Sequence, residues 1–319
     1  MIEHRDKGSD SVKMNKMKKA LMNPKTIFWN IAQIGGFRWM TDESYLKLAY
    51  KIMVGGGVKL NLENPATYNE KLQWLKLYDR KPIYVTMVDK YEAKKYVAQI
   101  IGEEYIIPTY GVWDSFDQID FDKLPEQFVL KCTHDSGGIA ICRDKTKFEV
   151  ESARRLMNKN LRHNFYWTGR EWPYKNVKPR IIAEKYMEDS NDRDLRDYKF
   201  FTFDGAAKLM FVASDRQAKN VETHFDFFDM EYNHLPVKNG HNNSRVCPSK
   251  PKNFNQMRML AERLGKGIPQ ARIDFYEINE KVYFGEITLF HYSGMVPFEP
   301  AEWDKKFGDW IKLPELKMG

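Results

Sequence analysis

Cysteine is scarce and long apolar runs are missing. The 319 residues include only Cys132, Cys142 and Cys247. Their number is odd and no C-x-x-C pair occurs, which argues against a disulfide framework or a thiolate zinc cage; all three are expected to be reduced core residues. No apolar stretch approaches the roughly 18 to 20 residues of a membrane-spanning helix, and the start lacks the apolar segment and small-residue cleavage site of a secretory leader. A cytoplasmic protein is expected. Charge of one sign is only mildly in excess, with 51 basic against 44 acidic residues and a net +7. That balance suits anionic small ligands without a polyanion-binding tail, and no nucleic acid partner is expected. The 42% hydrophobic and 14% aromatic content excludes a disordered chain, and the length suits two or three lobes.

Basic residues are densest at Lys13, Lys16, Lys18, Lys19 and Lys25, just before Ile27, Phe28, Trp29 and Ile31. Two readings stay open, a helical extension packing on its own domain or peripheral contact with the inner face of an anionic membrane.

The stretch Phe128 to Cys142 holds two short apolar runs around Thr133, His134, Asp135, Ser136, Gly137 and Gly138. It predicts strand, loop, strand. Glycine lets backbone amides approach an anion closely, and Lys131 adds a charge at the strand end, so the loop is either a phosphate cradle or a plain turn. It is neither a Walker loop nor G-x-G-x-x-G.

Thr67 and Glu70 stand at capping-box spacing ahead of Leu72, Leu75 and Tyr78, predicting a helix; Asp89 and Glu92 open a second one that Gly102 ends, with Lys90 at its start. From there the period turns to strands over 105–110, 128–132, 139–142 and 180–187, with a helix over 151–161. An acidic run over 188–192 reads as a hinge. Strands over 197–203 and 207–214 flank the turn Asp204-Gly205. Residues 215–254 read as loop, with Arg216 and several histidines in no metal spacing. A helix over 255–264 and a hairpin over 272–288 follow, and Trp303 and Trp310 read as packing. The overall class is α+β.

The last hairpin puts Asp274 and Glu286 in apolar strands, where an unpaired carboxylate is costly. They fit either magnesium or a structural network with Arg272. A three-residue loop, Asn279-Glu280-Lys281, is expected because it sets Asp274 opposite Glu286, with Tyr276 and Phe284 on their face and Ile273, Phe275 and Ile287 on the other.

The order of these features, with the wording of Asn64-Pro65 to Trp74, Val88-Asp89-Lys90-Tyr91, Leu130 to Gly138 and Asp197-Tyr198-Lys199-Phe200-Phe201, resembles the ATP-grasp superfamily and its teichuronopeptide-biosynthesis branch over roughly residues 60 to 300. The resemblance implies an ATP-grasp fold of two α+β lobes enclosing ATP and Mg2+. It implies a mainly helical region over 1–104, a nucleotide lobe with a glycine lid over 105–189 and a C-terminal lobe with the metal site over 190–319. By position, Lys90 and Lys131 would meet phosphates, Thr133 to Gly138 would form the lid, and Glu184, Lys185 and Met187 the adenine hinge. Lys199, Arg272 and Arg216 would be the catalytic cations, and Asp274, Glu286 and Thr288 the metal ligands. Thr288 departs from the asparagine that many of these ligases carry there.

The activity so implied is ATP-dependent joining of a carboxylate to an amine through an acyl phosphate, with a sugar-linked or small-molecule carboxylate such as a uronic acid in cell-envelope or capsular polysaccharide synthesis. Two rivals are a sugar phosphotransferase and, through the Asp192-Arg193-Asp194 triplet, a glycosyltransferase.

Overall fold

Helix-start signals set the first part of the chain. The computed structural model describes residues 23–135, 137–190, 195–215 and 222–315. Ser136, Arg216, the Asp192-Arg193-Asp194 triplet and Lys13 to Lys19 lie outside them. Asn23 caps α1 (Pro24–Gln33) and Thr41 caps α2 (Asp42–Met53). Together they bury Phe28, Ala32, Tyr45, Leu46, Ala49 and Tyr50 in a small core of their own, while Ile27, Ile31 and Ile34 of the α1 region stay exposed. The expected capping box is present at α3 (Tyr68–Tyr78), where Thr67 Oγ1 accepts from Glu70 N and Glu70 Oε2 accepts from Thr67 N. Two further helices follow, α4 (Ile83–Val88) and α5 (Glu92–Ile101). Asp89 accepts from the N–H groups of Tyr91 and Glu92 at the start of α5.

A four-stranded antiparallel sheet comes next, ordered β1-β4-β2-β3. Its strands are β1 (Thr109–Trp113), β2 (Phe128–Cys132), β3 (Ile139–Cys142) and β4 (Ile181–Lys185). The expected strand over 105–110 is displaced. Residues 103–105 form a 3-10 turn, and regular pairing begins only after Pro108, which has no N–H to donate. Helix α6 (Val150–Leu161) covers β2 and β3, closing a second core around Phe116, Phe128, Leu130, Met157 and Ile181. Cys132 and Cys142 are buried here as expected, whereas Cys247 is exposed.

The larger sheet has six antiparallel strands ordered β11-β10-β5-β6-β7-β8: β5 (Asp197–Phe203), β6 (Ala206–Ser214), β7 (His224–Phe228), β8 (His234–Leu235), β10 (Ala271–Ile278) and β11 (Lys281–Thr288). A small pair, β9 (Lys238–Asn239) and β12 (Phe298–Glu299), stands apart. Every residue of β5 is buried, as a central strand packed on both faces requires. Helices α3, α4 and α5, with α8 (Phe254–Gly265) and α9 (Glu302–Trp310), contribute to this main core; α7 (Tyr166–Gly169) is a single short turn between the lobes. Within the supposed loop 215–254, β7 was invisible to alternation because Phe225, Asp226, Phe227 and Phe228 are all buried. The Asp226 carboxylate accepts from Ser244 N, which satisfies it inside.

The β10–β11 turn corrects one expectation and keeps its consequence. Ile278 pairs with Lys281, so the loop is the two residues Asn279 and Glu280. Both are left-handed, with φ of 48° and 63°, as a type I′ turn requires. A bulge at Gly285 then shifts the register between Phe275 and Asp274, and Asp274 still pairs with Glu286. Phe284 therefore lies opposite Phe275, in an edge-to-face ring contact, and not beside the carboxylates.

Candidate active site

The two sheets face each other across a cavity of about 160 Å³ whose walls include Lys90, Lys94, Lys131, Glu184, Lys199, Asp274 and Glu286. It shares Lys131, Glu184 and Tyr276 with a neighbouring cavity of about 230 Å³ lined by Val129, Ile141, Lys185, Tyr186 and Met187. One end of the cleft is densely charged and the other is largely apolar.

At the boundary stands Glu184, in the middle of the four-stranded sheet. Its Oε2 is 2.6 Å from Lys131 Nζ and its Oε1 is 2.5 Å from Lys94 Nζ. Burial alone would raise its pKa, but Lys131 and Lys94 outweigh it and hold the carboxyl at about 2. Burial lowers the pKa of Lys94 against the pull of Glu184. Lys94 was not singled out in the sequence, although it lies one helical turn from Lys90 and a buried strand glutamate needs a partner.

The glycine loop is tied down at its start. Thr133 N donates to Arg180 O, extending the β2–β4 ladder, and Thr133 O accepts from Lys90 N. His134 turns away from the cleft; its Nε2 lies 3.1 and 3.0 Å from the carbonyls of Asn160 and His163 at the end of α6. Asp135 O accepts from Lys90 Nζ. Gly138 allows close approach, since a Cβ there would meet Asn160 Cβ at 3.0 Å and Cys132 Sγ at 3.1 Å. Burial lowers the pKa of Lys90, and Glu286 partly offsets it.

The other charged cluster sits on β5, β10 and β11. Asp274 pairs across the sheet with Lys199 on one side and Glu286 on the other, and Lys199 Nζ donates to its Oδ2. Arg272 grips Asp274 with two bonds, Nε to Oδ1 at 2.8 Å and Nη2 to Oδ2 at 2.7 Å, and reaches Glu286 Oε1 at 2.8 Å. Burial pushes Glu286 up, but Arg272, Lys199 and Lys90 hold it far below the usual carboxyl range. Burial lowers the pKa of Lys199 despite Asp274. Thr288 Oγ1 lies 3.4 Å from Glu286 Oε1. The carboxylates thus converge on one face, with Arg272 as their shared counter-ion.

Donor chemistry fits magnesium. Asp274, Glu286 and Thr288 offer only oxygen, and Mg2+ commonly keeps several waters while bridging one or two carboxylates to phosphates. Among the described residues no group of three or more His, Cys, Asp or Glu is arranged to hold a metal ion, so the rest of the shell would be phosphate and water oxygen.

Two further contributors, besides Lys94, escaped the sequence reading. Tyr174, on the turn after α7, lines the cleft. His291, beyond β11, contacts Arg272 from behind with Nδ1 2.7 Å from Nη1; no spacing pattern marks either of them. No helix among the described residues is long and apolar enough to cross a membrane.

A family model described as TupA-like ATPgrasp matches residues 70–312. Comparison with curated proteins finds no match. Among solved structures, a D-alanine–D-alanine ligase from Helicobacter pylori is 13% identical with a TM-score of 0.43, over 78% of this chain and 70% of that one. A second such ligase, from Bacillus anthracis, is 16% identical with a TM-score of 0.39, over 77% and 69%. The VanG D-Ala:D-Ser ligase from Enterococcus faecalis is 12% identical with a TM-score of 0.39, over 76% and 61%. At that level they assign no role to any residue.

Proposed function

The chain belongs to the TupA-like ATP-grasp family, and from that premise we propose that it is a carboxylate–amine ligase that joins an amine or amino acid to the carboxylate of a uronic acid or similar sugar-linked acid. The observation that supports the active-site reading is the convergence of both charged clusters on one cavity. The adenine ring fits the apolar end, between Val129, Ile141 and Met187, with the main chain of Lys185 to Met187 at the base edge. Lys131, Lys90 and Lys199 face the phosphates as compact positive charges.

In the first half-reaction a carboxylate oxygen of the acceptor attacks the γ-phosphorus of ATP and ADP leaves. In the second, the amine nitrogen attacks the acyl carbon, phosphate departs, and the nitrogen loses a proton as the amide forms. Arg272 and Lys199 neutralise charge as it shifts between oxygens, and they are already held in place by Asp274. Magnesium, held by Asp274 and Glu286, would supply further charge neutralisation at the phosphates. Asp135, Gly137 and Gly138 are the part of the loop proposed to close over the phosphates and exclude water from the acyl phosphate; Arg216 is proposed as an additional cation.

Turnover of ATP to ADP against panels of uronic acids and amino acids, with mass spectrometry of products, tests the proposal. An amide product with stoichiometric ADP is expected. A phosphate ester formed without amine would instead establish the phosphotransferase, and turnover of a nucleotide sugar the glycosyltransferase. Peripheral membrane contact is proposed through Ile27, Ile31 and Ile34 beside Lys25. Sedimentation with anionic but not neutral vesicles is expected, and no sedimentation would exclude it.

A further inference from the structure

We infer that His291 is a positioning residue for Arg272, a neutral imidazole that fixes how the guanidinium presents itself to the reacting oxygens. Arginine has only N–H donors, so the 2.7 Å contact from Nη1 makes His291 Nδ1 an acceptor. The other ring nitrogen, Nε2, is 2.9 Å from Asn239 Oδ1. The Asn239 amide is oriented by its own bonds, since Nδ2 donates to the carbonyls of Val296 and Pro297 at 3.1 and 3.0 Å. Its oxygen is therefore the atom that faces His291, and Nε2 must carry the proton. The tautomer is fixed from both sides.

His291 is also held against movement. It is buried, and Phe201 and Phe211 flank its ring. The next three residues, Tyr292, Ser293 and Gly294, all have positive φ, at 48°, 58° and 60°, a run that a chain adopts only when its surroundings impose it. Those surroundings are side chains of α3. Gln73 Nε2 donates to the carbonyls of Ser293 and Gly294, and the buried Lys76 ammonium donates to Ser293 O at 2.7 Å and Ser293 Oγ at 2.9 Å. The turn places an acceptor behind Arg272 where a plain loop would not.

The consequence lies in the bookkeeping of the guanidinium. Nε–H and one Nη2–H go to Asp274, the other Nη2–H to Glu286, and one Nη1–H to His291. One Nη1–H remains for a ligand oxygen, and its direction is set by the bond its twin makes to His291. This rests on the ligase reading above, in which Arg272 meets the transferred phosphoryl group.

The first test is independent of activity. Nitrogen-15 NMR of the histidine-labelled wild-type enzyme is expected to show His291 neutral and protonated on Nε2; a charged ring or an Nδ1–H tautomer overturns the inference. The second test uses variants. His291→Leu removes the acceptor at similar bulk and is expected to lower kcat about 100-fold with the KM for ATP within about threefold, the size that small misplacement of a catalytic group produces. His291→Asn, which returns an acceptor near the Nδ1 position, is expected to recover at least tenfold of that loss. A folded His291→Leu enzyme with unchanged kcat, or one that loses kcat with no recovery in a folded His291→Asn enzyme, overturns the inference. Arg272→Lys separates the two claims: if it leaves turnover intact the ligase role of Arg272 fails, whereas if it abolishes turnover and His291→Leu does not, only the positioning role fails.

Discussion

Glu184 carries two tasks that a single residue seldom combines. Its carboxylate closes the charged end of the cleft, and it neutralises Lys94 and Lys131, which the lobe could not otherwise bury. A carboxyl displaced from its usual 4.5 to about 2 corresponds to about 3 kcal/mol of stability. The sign follows from the folded value being the lower one: the contribution is present above the usual value and is lost as pH falls toward 2. Glu184→Gln is therefore expected to cost about 3 kcal/mol at pH 7 by urea denaturation, and the deficit to shrink by about 1 kcal/mol at pH 3.5. A deficit equal at both pH values would refute the ion-pair account. The same geometry alters what Lys131→Ala does. Removing one of two cations from a buried carboxylate should weaken ATP binding and also lower stability by about 2 kcal/mol.

The β10–β11 hairpin separates what pattern predicts from what geometry permits. Opposing Asp274 and Glu286 was legible, because two carboxylates in apolar strands have to meet a common partner. How the chain achieves it was not. A three-residue loop and a two-residue loop with a bulge give the same pairing at Asp274, and only the second uses Gly285, where a Cβ would meet Asp274 O at 3.1 Å and the Tyr276 ring at 3.2 Å. Gly285→Ala is expected to push Glu286 out of line with Asp274, lowering turnover about tenfold and raising the magnesium needed for half-maximal rate; unchanged magnesium dependence would count against the metal site. Glu280 meanwhile holds φ at 63° and its partner Lys252 is exposed, so its ion pair is worth little. Glu280→Gly should raise stability by about 0.5 kcal/mol, measured by chemical denaturation, without affecting turnover.

At the scale of the whole molecule, the main strands and helices over 128–214 and 254–288 were legible, because their apolar periods end at a glycine, proline or charged turn, whereas β7, β8, β9 and α9 were not. The charged cleft was less so. Lys94 and Tyr174 reach it from a helix face and a short turn, His291 backs it through Arg272 from a strained turn, and what unites them is the fold, not spacing along the chain. The fold also divides the protein into separate cores, one around Phe116 and Leu130 and one around the six-stranded sheet, with the proposed nucleotide site at their seam. A ligand that bridges two cores stabilises each through the other. Mg-ATP at about 100 times its Kd should add about 2.7 kcal/mol and raise Tm by about 5 °C. The slowed hydrogen exchange should extend beyond the hinge into Phe128–Cys132 and Ala271–Ile278, one strand from each sheet. ATP with EDTA should give a smaller shift, because Asp274 and Glu286 then meet phosphate without a metal between them. A Tm that rises equally with a UDP-sugar, or protection confined to one sheet, would refute an ATP site at the seam.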